Sequence, residues 1–200
     1  MSAADHYFAR KPASRSRPGS ARLSLPDVGP FSLRTDRGVF SAEQVDLGTR
    51  ILLRRVPMPP STGDLLDLGC GYGPIAIALA ARAPNARVWA VDVNERALAL
   101  TIANAEAAGL SNVRAVTPEA VPQRVRFAAI YTNPPVRIGK TALHELLSSW
   151  MARLEPAGAA WLVVQRHLGS DSLARWLDEH GHTVSRFASE RGYRVLEVRP

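Results

Sequence analysis

The chain of 200 residues contains one cysteine, Cys70, so it forms no internal disulfide and fits a reducing compartment. The longest unbroken apolar run covers residues 75–81, far too short to span a membrane. No apolar stretch follows the first residues, so no secretion signal is expected and the expected location is cytoplasmic. Cysteine and histidine do not cluster, which argues against a metal. There is no internal repeat. What remains is an ordinary globular balance, 46% hydrophobic and 22% charged.

The formal net charge is +7, which suits a polyanionic partner. Arg10, Lys11, Arg15, Arg17 and Arg22 face only Asp5 in the first 22 residues. Such a segment serves either nucleic acid contact or solubility. Its Ser, Pro and Arg content predicts a flexible basic lead-in over residues 1–21. Residues 22–60 form an N-terminal section, with short strands expected at 22–25 and 31–35. A helix is expected over 43–55, capped by Ser41.

From residue 61 onward strands and helices alternate. Strands are expected at 64–68, 87–92, 112–117, 126–132, 159–165, 182–187 and 193–198. Helices are expected at 74–83, 95–108, 139–154 and 170–180, with a weaker one near 118–123. Asn94 is placed to cap the second of these, and Pro156 to Gly158 to end the fourth. This alternation predicts an α/β fold of Rossmann-like type, a seven-stranded mostly parallel sheet covered by helices on both faces. Only residues 188–192 join the last two strands, so the final strand is expected to be antiparallel.

Two motifs carry chemistry. The first is Asp67-Leu-Gly-Cys-Gly-Tyr-Gly73, an apolar strand breaking into a glycine turn ahead of a helix. That order lets backbone approach a ligand closely and points a helix N-terminus at it. Asp92 ends the next apolar stretch, where a carboxylate can accept hydrogen bonds from ribose hydroxyls. A dinucleotide-dependent oxidoreductase uses G-x-G-x-x-G, and here Pro74 and Ile75 follow Gly73 without the third glycine.

The second motif is Thr132-Asn-Pro-Pro135, closing another apolar strand. Ligands of open parallel sheets bind beyond the carboxyl ends of the strands, which puts Asn133 in a crevice with Asp67, Gly69 and Asp92. The Asn133 side-chain oxygen and the Pro134 backbone oxygen can each accept one N–H of an exocyclic amine. This favours a tetrahedral nitrogen with its lone pair aimed at an electrophile. Proline fixes the turn so that it presents carbonyls.

DLGCGYG, the Asp92 strand and TNPP together resemble class I methyltransferases that use S-adenosyl-L-methionine. Residues 37–41 (RGVFS), 45–48 (VDLG), and the stretch from Asn133 through QRHLG at 165–169 resemble the small-subunit (16S) ribosomal RNA guanine-N2 methyltransferases in their compact, single-domain form. The resemblance covers residues 22–200 and implies methyl transfer to guanine N2 in ribosomal RNA or the small subunit.

By that resemblance Asp67, Gly69, Cys70, Gly71 and Gly73 surround the methionine part of the cofactor. Asp92 holds the ribose, Val93 and Asn94 lie beside the adenine, and Glu119 faces the adenine amine. Phe40 and Ser41 approach from the N-terminal section. Asn133, Pro134 and Pro135 hold the target amine. Arg137 and Lys140 contact RNA phosphate, or are an ordinary charged helix start.

Many amino-methyltransferases put an aromatic after NPP to stack on the base. Val136 stands there, so stacking is expected from Phe40 or Tyr72. Other acceptors for the same cofactor are a protein glutamine or adenine; a non-catalytic RNA-binding module leaves Asn133 without a purpose. His144 and His167 have no evident acidic partner, Cys70 is a small residue between turn glycines, and Trp150, Trp161 and Trp176 are expected in the core.

Overall fold

The computed structural model describes residues 14–200; Arg10 and Lys11 of the basic lead-in lie outside the described residues. A hairpin comes first, β1 (Gly19–Leu23) and β2 (Phe31–Thr35), with Leu23 opposite Phe31. The first strand starts earlier than expected because buried Ala21 and Leu23 alternate with exposed Ser20 and Arg22. The boundary expected at residues 21 and 22 therefore falls inside β1. Just upstream, Ser16 Oγ and the Arg17 amide donate to Asp36 at 2.7 and 2.5 Å.

Helix α1 (Leu47–Arg55) starts four residues later than residue 43, and its cap is Asp46, not Ser41. Asp46 Oδ2 accepts the Thr49 amide at 3.1 Å, and a carboxylate at that position also complements the helix dipole. Ser41 instead adopts a left-handed φ of 54° and donates to the Gln44 carbonyl at 2.6 Å.

The core sheet runs through β3 (Asp64–Leu68), β4 (Arg87–Val91), β5 (Val113–Val116), β6 (Phe127–Thr132), β7 (Leu154–Gln165), β8 (Thr183–Glu190) and β9 (Tyr193–Arg199). Its order is β5-β4-β3-β6-β7-β9-β8. β9 runs against both neighbours and every other pairing is parallel, as the seven-stranded expectation required. Helices α2 (Pro74–Arg82), α3 (Glu95–Ala107), α4 (Lys140–Met151) and α5 (Ser170–Glu179) cover the sheet. Successive residues feed opposite faces: Leu65, Val163 and Val195 pack with α1 and α2, and Leu66, Leu162 and Leu196 pack with α4 and α5.

Strand order reverses between β3 and β6, so their carboxyl ends part to leave a crevice. Thr132 Oγ1 donates to the Leu68 carbonyl at 2.8 Å and holds the two strand ends in register there.

Three further features differ from the sequence expectation. Residues 156–158 do not end a helix; they lie in β7, where the pairing shifts between Phe127 and Ala129, and such a bulge tolerates a proline without an N–H. The β8–β9 connection is only Arg191 and Gly192, both at positive φ, the geometry of a two-residue hairpin turn. The helix expected near 118–123 is a single 3-10 turn at Pro118–Ala120.

Candidate active site

The glycine turn after β3 is fastened from several sides. The Gly69 and Cys70 amides donate to the Val91 carbonyl at 2.8 and 3.0 Å, and Gly73 N–H donates to the Cys70 carbonyl at 2.9 Å. Beneath it Asp67, fully buried, accepts the Ala76 amide of α2 at 2.9 Å. Its other oxygen has no partner among the described residues. Burial, opposed by the Ala76 amide and reinforced by nearby Asp92, pushes the Asp67 carboxyl up to about 8.

The three glycines differ in what they leave open. A Cβ built on Gly69 or Gly71 would meet nothing within 4 Å, whereas one on Gly73 would lie 2.9 Å from the Thr101 side chain. Gly69 and Gly71 keep a cradle clear; Gly73 serves close packing of α2 against α3. Thr101 also donates to the Gly71 carbonyl at 3.0 Å.

Asp92, just past β4, accepts the Gly71 amide on one oxygen and the Asn94 amide on the other, both at 2.9 Å. Burial raises its pKa against those amides. Asn94 caps α3 through the Arg96 and Ala97 amides, as expected, and its Nδ2 donates to the Gly38 carbonyl at 2.9 Å. That last bond ties the N-terminal section to the rim of the crevice.

A cavity of about 660 Å³ opens at the strand ends. Gly69, Gly71, Asp92, Val93 and Asn94 line one part of it, and Asn133, Pro134, Pro135 and Arg137 another. Phe40 and Ser41 form its N-terminal wall. Cys70 reaches only a small adjoining recess. Among the residues singled out in the sequence, Asp67 beneath the turn and Gly73 at its end do not line the cavity, and Lys140 is exposed at the start of α4 outside the lining. Glu119 is exposed, and its neighbour Pro118 contacts the cavity instead.

Several further expectations resolve here. Tyr72 is buried at 2% exposure behind the turn, where it cannot offer a face to a base; Phe40, at 40%, can. Trp150 and Trp161 are core residues. Trp176 is half-buried and stacks on His144 with ring centroids 3.8 Å apart. Desolvation, with His180 and Lys140 nearby, lowers the His144 pKa. His167 sits exposed in the turn after β7.

Sequence reasoning missed the far wall. Asn133 Nδ2 donates to Asp46 Oδ2 at 2.9 Å and to Thr49 Oγ1 at 3.2 Å, so the start of α1 fixes this amide. Gln165 Nε2 donates to the Tyr193 hydroxyl at 2.6 Å, and both residues line the cavity. Gly48 gives the Tyr193 ring its room, since a Cβ there would lie 2.7 Å from Tyr193 Cε1. The available signal was Asp46 preceding Thr49 by three, a capping pattern concealed by the earlier Ser41.

Among the described residues no helix is long and apolar enough to cross a membrane, and no group of three or more His, Cys, Asp or Glu could hold a metal ion.

Comparison with known proteins places this geometry. Residues 30–197 match the methyltransferase small domain model. The chain is 36% identical to the uncharacterized protein YbxB of Bacillus subtilis, over 98% of each chain. It is 32% identical to ribosomal RNA small subunit methyltransferase C of Shewanella amazonensis, covering 94% of this chain and 54% of that one. A T. thermophilus 16S rRNA N2 methyltransferase, solved with AdoMet and guanosine, superposes with a TM-score of 0.74 at 27% identity, over 94% of this chain and 51% of its own. The chain thus spans about half the length of the ribosomal RNA enzymes it matches and nearly all of YbxB. With a family model covering most of its length, the chain belongs to the methyltransferase small domain family.

Proposed function

We propose that this protein transfers a methyl group from S-adenosylmethionine to the exocyclic N2 amine of a guanine in 16S ribosomal RNA. One observation carries the reading: the Gly69–Gly71 cradle, the Asp92 carboxylate and the Asn133-Pro-Pro turn line a single cavity at the point where strand order reverses.

The residues fit the cofactor. Open space over Gly69 and Gly71 admits a chain lying against backbone, which any side chain there would fill. Asp92, held on both oxygens by backbone amides, keeps lone pairs for two ribose hydroxyls. When bound, the cofactor supplies an electrophilic methyl on a cationic sulfur. Asn133 Oδ1 and the Pro134 carbonyl accept the two N–H bonds of the target amine and turn its lone pair towards that methyl. The Pro134 carbonyl already takes the Val136 amide at 2.8 Å and has a second lone pair to give. Catalysis is positioning and electrostatics in a preformed site.

Phe40 offers the ring that Val136 does not, and stacks on the flipped base. Arg137, at the cavity edge, and Lys140 beyond it contact phosphate. The choice of guanine N2 is supported by the T. thermophilus relative solved with guanosine.

The test is transfer of labelled methyl to deproteinised 16S rRNA, isolated small subunits, DNA and protein, comparing wild type with Asn133→Ala. The expected product is N2-methylguanosine in RNA or subunits, lost in the variant. Label in DNA or protein overturns the acceptor, and a fully active Asn133→Ala overturns the site.

A further inference from the structure

We infer that Asp46 selects the acceptor: it fixes which end of the Asn133 amide faces the cavity, and its own second oxygen engages another N–H beside the target amine. The inference rests on reading the cavity as a nucleobase site and goes on to name which edge of which base it accepts.

An amide is nearly symmetric in shape, and only its oxygen favours an incoming amine. Asn133 lines the cavity, and its Nδ2 is directed at α1, where Asp46 Oδ2 and Thr49 Oγ1 accept from it at 2.9 and 3.2 Å. A flipped amide would set its oxygen against the carboxylate, acceptor against acceptor. Asn133 Oδ1 is therefore the end presented to the acceptor.

Asp46 Oδ2 takes two donors, Asn133 Nδ2 and the Thr49 amide. Among the described residues neither Asp46 Oδ1 nor Asn133 Oδ1 has a hydrogen-bond partner. Both side chains line the cavity, and Asp46 is only half-buried. The acceptor end thus presents two linked oxygen acceptors, one of them on a carboxylate.

The candidate acceptors differ beside their amine. Guanine carries N1–H next to its N2 amine, two adjacent donors. Adenine has a bare N1 beside its N6 amine, cytosine a bare N3 beside N4, and a glutamine side chain its own carbonyl oxygen. Each of the last three would set a lone pair against the Asp46 carboxylate. A polar site that leaves a buried group unpaired discriminates far more strongly than an apolar pocket does. Only the donor–donor edge of guanine matches, so Asp46 is both a positioning residue and a specificity determinant.

The test uses binding, so it does not depend on turnover. Protein loaded with S-adenosylhomocysteine is titrated with guanosine and with 2,6-diaminopurine riboside, which keeps the N2 amine but replaces N1–H by a bare nitrogen. Wild type is expected to favour guanosine by at least about tenfold. In Asp46→Asn one amide oxygen can still cap α1 and accept from Asn133, while its N–H now faces the cavity; the preference should vanish or invert.

Asp46→Ser keeps a good helix cap but is too short to reach Asn133. It should melt close to wild type and bind cofactor normally, yet transfer methyl roughly 10- to 100-fold more slowly through kcat. Equal binding of both nucleosides by wild type, or an Asp46→Asn variant that keeps the guanosine preference, overturns the role of Asp46. Binding of neither nucleoside overturns the nucleobase reading beneath it. A Ser variant with wild-type kcat, beside an inactive Asn133→Ala, overturns the positioning role alone.

Discussion

Asn104 of α3 and Arg34 of β2 exchange a matched pair of hydrogen bonds: the Arg34 amide donates to Asn104 Oδ1 at 2.7 Å, and Asn104 Nδ2 donates to the Arg34 carbonyl at 3.0 Å. The side chain acts as one more strand beside β2. Its Nδ2 also donates to the Tyr72 carbonyl at 2.8 Å, so one buried amide joins the N-terminal hairpin to the glycine turn.

Asn104→Ala leaves those three backbone groups without their partner. The expected loss is about 2–3 kcal/mol, because Arg34 lies at the surface and water replaces part of its share. Cofactor affinity should fall as well, since the Tyr72 carbonyl belongs to the turn. Chemical denaturation and cofactor titration of the same variant check both. A variant that loses stability with unchanged cofactor affinity would show that the turn holds its shape without Asn104.

The glycines of the turn should separate by experiment. Gly69→Ala and Gly71→Ala incur the left-handed backbone cost of about 1–2 kcal/mol, and their Cβ atoms meet open space. Gly73→Ala bears a similar cost and also drives a methyl to 2.9 Å from Thr101, so its stability loss should be larger by about 1–3 kcal/mol. The first two variants should weaken cofactor binding out of proportion to their melting temperatures. Thr101→Ala should partly restore Gly73→Ala and neither of the others. Restoration of all three alike would contradict the division of roles.

How much of this was legible in the sequence depended on the range of the interactions. The order of β3 to β9 follows from apolar runs and turn residues, and local signals suffice for that. The glycine turn, Asp92 and Asn133 were recognisable because strand ends in a parallel sheet converge whatever the loops do. Asp46 was not assigned a role, because its significance lies in a contact 87 positions away, with Asn133. Tyr72 was misjudged for a related reason: aromatic residues in a turn look available for stacking until the packing behind the turn is known. The late start of α1 and the long β7 are tertiary effects. In the first a carboxylate outcompeted an earlier serine as cap, and in the second a bulge absorbed a proline that ordinarily ends an element.

Gly48 makes a prediction with an inverted sign. It is the second residue of α1, where replacing glycine by alanine usually stabilises a helix by about 0.5–1 kcal/mol. Here the added methyl would lie 2.7 Å from the Tyr193 ring and 2.9 Å from Asp46 Oδ2. Gly48→Ala should therefore lower the melting temperature, and it should reduce methyl transfer more than cofactor binding because both neighbours line the cavity with Asn133, where the acceptor is proposed to bind. A stabilised, fully active variant would show that Tyr193 moves aside at no cost.

Asp67 makes the protein's stability depend on pH in a direction opposite to that of a typical carboxylate. Burial lifts its pKa from an ordinary 3.8 to about 8, so between those values the native state keeps a proton that the unfolded chain has released. Native protein binds more protons than unfolded protein in that window, and stability must fall as pH rises through it, by at most about 1.4 kcal/mol per unit. The stabilising contribution is complete below the unfolded value and gone above the folded one. Asp67→Asn keeps an acceptor for the Ala76 amide and cannot ionise. The melting temperature of the variant minus that of wild type, in the absence of cofactor, should accordingly rise from pH 4 to pH 8 and level off at either end. Cofactor should narrow the gap at the upper end, because a cationic ligand nearby favours the ionised carboxyl and stabilises wild type more than the variant. Parallel melting curves across the range would mean that Asp67 ionises at its ordinary pH, with solvent reaching the underside of the glycine turn.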